Sequence, residues 1–321
     1  MSARWIVVGL LLLSGMSLLF ALMLGSITVH WQSLWAIMQG EQGLYRNLVV
    51  DLRLPRAMAA FATGGMLALA GALMQVLLRN PLADPYILGI SGGAAVGALT
   101  AMLMGVSGVW FTGSAFGGAL LSMMLVFTLA RGRGSWTSTR LLLTGVVIAA
   151  GWGAVISFIL AISPDTHLRG MLFWLMGDLS HVQDPGAGWV VLLLGMVLCL
   201  PLAHQLNALS RGELQAGALG VDVRPLRLKI YILASLLTAV AVTLAGSIGF
   251  VGLIVPHLLR LIMGNDQRLL LPAAVLLGGS LLTVADTLAR TVVAPQQLPV
   301  GVLTALLGVP VFLYLLQRGQ R

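Results

Sequence analysis

Apolar residues fill almost the whole chain in long blocks, broken only by charges or by Pro and Gly. The blocks run over residues 5–25, 57–78, 86–105, 109–130, 141–162 and 187–204, then 230–248, 250–264, 269–288 and 300–316. A helix needs about 20 apolar residues to cross a bilayer, so most of these blocks are of crossing length, and the block at 250–264 is short. The pattern predicts an all-α integral membrane protein of about ten transmembrane helices, with residues 1–321 as one transmembrane domain. The first block follows a single basic residue, Arg4, and is longer than a signal-peptide core of roughly 7 to 15 residues, so it reads as an uncleaved span.

Composition agrees with the pattern. Charged residues are 9% of the chain and hydrophobic residues 59%, against roughly 25% charged in soluble domains. Glycine, 39 of 321 residues, is read mainly as packing residues that let helix backbones approach in lipid. The net charge of +8 comes from residues at block ends with no interleaved aromatics, which argues against nucleic acid as a partner. With the amino terminus inside, thirteen basic residues are inner: Arg4, Arg79, Arg131, Arg133, Arg140, Arg211, Arg224, Arg227, Lys229, Arg260, Arg268, Arg318 and Arg321. Five are outer: Arg46, Arg53, Arg56, Arg169 and Arg290. The positive-inside rule favours this orientation, with both termini cytoplasmic.

Two polar stretches stand outside the blocks. Residues 163–185 enclose the apolar piece from Met171 to Met176 and predict a short amphipathic helix at the outer surface. Residues 205–229 form the longest inner loop, where Leu214, Leu219 and Val221 alternate with Glu213, Asp222 and Arg224, a mixture suited to docking on a partner protein. A weak echo at a shift of 175 pairs Leu69, Ala70, Gly71, Pro81 and Gly89 with Leu244, Ala245, Gly246, Pro256 and Gly264. It carries the second span onto the seventh, an odd displacement, as an inverted repeat would.

Candidate chemistry is sparse. The only lysine, Lys229, lies in R-L-K-I-Y and not in a phosphate-binding loop, so the chain is not an ATPase of that type. Five scattered histidines and the lone Cys199 offer no metal site or catalytic triad. The Met102, Met104, Met123 and Met124 group reads as core filler. Asp286 is the one carboxylate well inside an apolar block. It either pairs with Arg290 one turn later or binds a driving ion, which keeps an ion-coupled carrier as the alternative function.

Several segments are specific. They are R-L-P-R from Arg53, L-A-G-A-L-M-Q-V-L-L-R-N-P-L-A-D-P-Y-I-L-G-I-S-G-G-A from Leu69, S-T-R-L-L-L-T-G-V from Ser138, F-W-L-M-G from Phe173, G-F-V-G-L-I-V-P-H-L-L-R from Gly249 and L-P-V-G-V-L-T-A-L-L-G-V-P-V-F from Leu298. In this order, over nearly the whole chain, they resemble the FecCD family, permease subunits of importers for iron siderophores, haem and cobalamin. The resemblance implies ten helices per subunit in a bacterial inner membrane. It also implies a second permease subunit, two cytoplasmic ATPase subunits that hold ATP and Mg, and a periplasmic substrate-binding protein. No cofactor is expected on this chain.

By the same resemblance, Arg53, Arg56 and Arg290 match outer arginines that meet acidic residues of the binding protein. Arginine suits this because its planar fork pairs with a carboxylate through two hydrogen bonds; snorkelling at a helix start is the plainer alternative for Arg53 and Arg56. Gly212, Glu213, Leu214, Gly217, Leu219, Gly220 and Val221 match the segment that couples to the ATPase, its glycines permitting breaks between two short helices. Thr137, Ser138 and Thr139 match the cytoplasmic gate of the family's cobalamin permeases, although capping the following helix suits one of them equally. His257 lies in the shared V-P-H-L-L-R segment, where a hydrogen bond near a proline kink competes with any haem ligation.

Overall fold

The computed structural model describes residues 3–25, 27–131, 137–182 and 184–318. Among them every regular element is helical. In order these are α1 (Ala3–Met23), α2 (Trp31–Met38), α3 (Leu44–Arg46), a π-helical stretch (Asn47–Arg53), α4 (Leu54–Leu77), a 3-10 turn (Pro85–Leu88), α5 (Ile90–Leu103), α6 (Val109–Arg131), α7 (Ser138–Ile162) and α8 (Asp165–Leu175). There follow α9 (Gly186–Cys199), a 3-10 turn (Leu200–Leu202), α10 (Ala203–Ser210), α11 (Glu213–Ala218), α12 (Val223–Ala245), α13 (Val251–Met263), α14 (Gln267–Thr291) and α15 (Val300–Arg318). Seven rods have the length and composition to cross a bilayer, and three shorter apolar helices, Ile90–Leu103, Val251–Met263 and Val300–Leu315, fall on the remaining apolar blocks. Arg133 and Arg321, counted among the inner charges, lie outside the described residues.

The second block starts earlier than its Pro and Arg punctuation suggests. Helical structure runs unbroken from Leu44 to Leu77. Pro55 sits in the first turn of α4, directly after the π-helical stretch, where a missing N–H is tolerated. The sixth block is likewise longer: Pro201 turns the chain into a 3-10 step, and the rod continues through α10 to Ser210. Residues 205–210 of the expected inner loop are therefore helix, and Val223–Lys229 already belong to α12.

Helix α4 is the axis of the fold. In its 34-residue rod, 94% of the apolar window is buried, against 11% for α7, which turns a face of Leu143, Val146, Val147 and Phe158 outward. Helices α9, α12, α13 and α14 surround α4. Lipid supplies no hydrophobic drive for helix association, so close backbone contact must do the work, and glycine makes it possible. A Cβ at Gly64 would collide with the Gly278 carbonyl of α14, and one at Gly71 with the Gly252 carbonyl of α13.

A polar staple joins α4 to α13. Pro256 has no N–H, which leaves the Gly252 carbonyl without its helical donor. Gln75 Nε2 reaches toward that carbonyl at 3.5 Å and donates to Leu253 O at 3.0 Å, while its Oε1 accepts from Arg260. Unpaired carbonyls are costly in a bilayer, so this residue fits its place.

The echo at 175 does not join equivalent places. Gly71 is inside α4 whereas Gly246 follows α12, and Pro81 is in a loop whereas Pro256 is inside α13. Element lengths do recur: α4 to α7 have 24, 14, 23 and 25 residues, and α12 to α15 have 23, 13, 25 and 19.

Candidate functional site

The polar residues collect at the two ends of the bundle. At one end the three matched arginines line one cavity, and two of them hold Asp286, whose side chain is 1% exposed. Arg56 grips it with two prongs, Nε to Oδ2 and Nη2 to Oδ1, both at 2.9 Å, and its Nη1 donates to Gln297 Oε1 at 2.9 Å. Arg290, one turn after Asp286 on α14, brings Nε to 3.3 Å from Oδ2 as an ion pair outside hydrogen-bond alignment, and its Nη2 donates to Ala21 O at 3.3 Å. Arg53, at the end of the π-helical stretch, donates to Leu22 O at 2.7 Å, Met23 O at 3.1 Å and Ile27 O. The last carbonyls of a helix have no partner within it, so Arg53 and Arg290 together cap α1.

These arginines differ in their partners more than in their access. All three line one cavity of about 460 Å³ with Asp51, Ser180 and Gln297; Arg53 and Arg290 are buried, and the Arg56 side chain is 11% exposed against 8% for Arg290. The pairing of Asp286 with Arg290 was readable from their spacing. That of Asp286 with Arg56, 230 residues away, had no local signal. An ion-coupled carrier working through Asp286 finds no support, because two guanidinium groups already engage its carboxylate.

At the other end, the segment matched to coupling holds one short helix, α11, between the rod that ends with α10 and the start of α12. Gly212 and Gly220, at φ +129° and +80°, bracket α11, whereas Gly217 lies within it. Leu214 and Leu219 project outward, 92% and 66% exposed. Glu213 points the other way. Its Oε1 accepts from Arg227 Nη1 at 3.0 Å and lies 3.9 Å from Arg79 Nη2.

The suggested gate residues sit beside this cluster. Thr137 does cap α7, accepting from Arg140 N at 3.2 Å. Ser138 Oγ donates to Leu77 O at 3.1 Å, and Thr139 is exposed. All three line a cavity of about 850 Å³ together with Arg79, Glu213, Leu214 and Arg227. A third polar knot fixes the base of α14. Asp266 caps it by accepting from Arg268 N at 3.1 Å and from Asn207 Nδ2 at 2.9 Å, while Asn207 Oδ1 accepts from Gln267 N at 2.8 Å. Hydrogen bonds from the Arg268 guanidinium, then from Asn207, hold the Asp266 carboxyl well below the usual carboxylate range.

Sequence reading missed α2, which carries Trp31 and Trp35 one turn apart on an exposed face with Met38. Its signal was that i, i+4 spacing in a stretch too short to span. The expected amphipathic helix in 163–185 is α8. It packs against α5, and its end ties two other helices: Asp178 N donates to Ala245 O at 2.8 Å and Val300 N to Gly177 O at 3.0 Å.

Known proteins resemble this chain over nearly its whole length. The chain is 42% identical over 313 residues to the hemin transport system permease protein HmuU of Yersinia pestis, covering 93% of this chain and 91% of that one. It is 41% identical over 314 residues to the vitamin B12 import system permease protein BtuC of Yersinia enterocolitica, covering 97% and 92%. A solved structure described as an inward-facing metal-chelate type ABC transporter superposes with a TM-score of 0.87 at 31% identity, over 98% of this chain and 99% of that one. The FecCD transport family matches residues 10–318, and the chain belongs to that family as a multi-pass membrane permease of an ABC importer.

Proposed function

We propose that this permease carries an iron complex, either a siderophore or haem, or cobalamin across a bacterial inner membrane, driven by ATP hydrolysed in partner subunits. Relatives named for hemin and vitamin B12 support that substrate class. The observation that carries the reading is the division of polar residues between the ends: an arginine cluster at one, and outward-facing Leu214 and Leu219 beside a large cavity at the other.

In this reading the chain makes ten crossings with both termini cytoplasmic, and the recurring helix lengths reflect an inverted repeat. The arginine end is periplasmic. Arg56 meets an acidic residue of the binding protein directly, with Arg53 and Arg290 adding positive charge from beneath. Partly exposed pairs of this kind are worth about 0 to 1 kcal/mol each, so docking is moderate and salt-sensitive. At the cytoplasmic end α11 seats Leu214 and Leu219 in a groove of an ATPase subunit that holds ATP and Mg. Thr137, Ser138 and Thr139 line the gate, where small hydroxyl side chains narrow a path without gripping a large solute. A second copy of the permease closes the other side of the pathway. ATP-driven closure of the motor then moves α11 and switches which end of the pathway is open.

The test is uptake into vesicles reconstituted with the permease, its ATPase and its binding protein, using haem, a ferric siderophore and cobalamin in turn. ATP-dependent accumulation of one of them is expected. Transport by the permease alone on an ion gradient would overturn the proposal.

A further inference from the structure

Helix ends from distant parts of the chain meet at one guanidinium. Arg227, in the second turn of α12, is 7% exposed. Its Nη1 donates to Glu213 Oε1 at 3.0 Å, on the first residue of α11, and its Nη2 lies 3.5 Å from Ser138 Oγ, on the first residue of α7. That hydroxyl in turn donates to Leu77 O at 3.1 Å, on the last residue of α4. Arg79, just beyond α4, approaches the same Glu213 oxygen. A chain of contacts thus runs from α11 through α12 to the start of α7 and the end of α4.

We propose that Arg227 is a positioning residue that transmits movement of α11 to the mouth of the cavity, with the Glu213–Arg227 ion pair as the tie and Ser138 as the element moved. This rests on the importer reading above, in which α11 is the part the motor displaces. The chemistry suits the task. Arginine carries five N–H donors in a rigid plane, so one side chain can face a carboxylate and a hydroxyl together. Glu213 is partly exposed but Arg227 is buried, so breaking the pair strands the guanidinium charge in low dielectric, and the pair moves as a unit more readily than it breaks. Leu214 in α11 and Leu219 directly after it face outward, so a partner can seat there without disturbing the inward bond of Glu213.

The test uses the complete importer, with ATPase and binding protein, in proteoliposomes, and measures ATP hydrolysed per substrate taken up. Glu213→Gln and Arg227→Gln should each raise that ratio by about tenfold, the scale of a typical coupling between sites. The exchanged pair, Glu213→Arg with Arg227→Glu, should bring it back to within about threefold of wild type, because contacting residues are strongly non-additive. The amount of ATPase co-purifying with each variant separates relay from scaffold: a merely structural role lowers assembly and both rates together and leaves the ratio fixed. Glu213 is substantially exposed, so Glu213→Gln remains informative even where Arg227→Gln fails to assemble. An assembled Glu213→Gln importer with the wild-type ratio overturns the relay and leaves the importer reading standing, as does an exchanged pair that restores nothing. A wild-type complex with no ATP-dependent uptake overturns the importer reading, and the relay with it.

Discussion

Arg53 and Arg56 stand three residues apart and look alike in sequence, yet their surroundings assign them different consequences when replaced. Arg53→Gln removes a guanidinium bonded to the carbonyls of Leu22, Met23 and Ile27 at the end of α1. Hydrogen bonds to charged groups contribute about 1.5 to 3 kcal/mol each. A glutamine amide can replace one of them, and water reaches part of the helix end, so the net loss is about 2 to 4 kcal/mol of stability. Arg56→Lys keeps a cation beside the buried Asp286 but loses the two-pronged grip, and Arg290 remains 3.3 Å away, so its stability cost is that of one charge-assisted hydrogen bond, about 1.5 to 3 kcal/mol. Thermal unfolding of the purified permease in detergent and titration with the binding protein at several salt concentrations read the two effects separately. Both should unfold earlier, Arg53→Gln the more so, while Arg56→Lys should bind several-fold more weakly and Arg53→Gln, which loses only a charge beneath the contact, less than about twofold more weakly. An Arg53→Gln protein of wild-type stability with lost docking would refute the capping account.

Other substitutions test other joints. Gly71→Ala forces a methyl group against the Gly252 carbonyl and should cost about 1 to 3 kcal/mol, seen as a lower unfolding temperature; an unchanged transition would mean that α4 and α13 are not in tight contact. Leu214→Asp alters a residue 92% exposed, so stability should change by less than about 0.5 kcal/mol, while recovery of the ATPase on co-purification falls sharply. Asn207→Ala removes a bridge from α10 to the first turn of α14 and should cost about 1 kcal/mol in thermal stability, as loss of a cap does. The Asp266 carboxyl titrates lower when folded than when unfolded. Its contribution is therefore present above about pH 4 and is lost as pH falls through the folded value. Asp266→Asn should flatten that acid-side decline, and an identical pH profile would exclude Asp266 as its source.

Much of the fold was legible because a bilayer imposes a length and a polarity on whatever crosses it. Ten apolar blocks, the small share of charge and the motifs from Arg53 to Phe312 were enough to anticipate an all-helical permease of this family. Where the local reading failed, a local breaker had been absorbed: Pro55 by the first turn after a π-helical stretch, Pro201 by a 3-10 step. The echo at 175 compared residue types common everywhere in such a chain, and its paired residues fall in unlike places.

Sequence alone thus determined which segments are apolar enough to cross a bilayer, and which residues are candidates for coupling and for docking. Tertiary structure decided how those residues divide their work: that Arg53 and Arg290 cap α1, that Arg56 holds Asp286 from 230 positions away, and that Glu213, Arg227 and Ser138 share one cluster. The physical reason is range. Hydrophobic periodicity acts within one helix and is written in consecutive residues, whereas an ion pair between helices depends on how small residues such as Gly64 and Gly278 let those helices cross, which no single segment encodes.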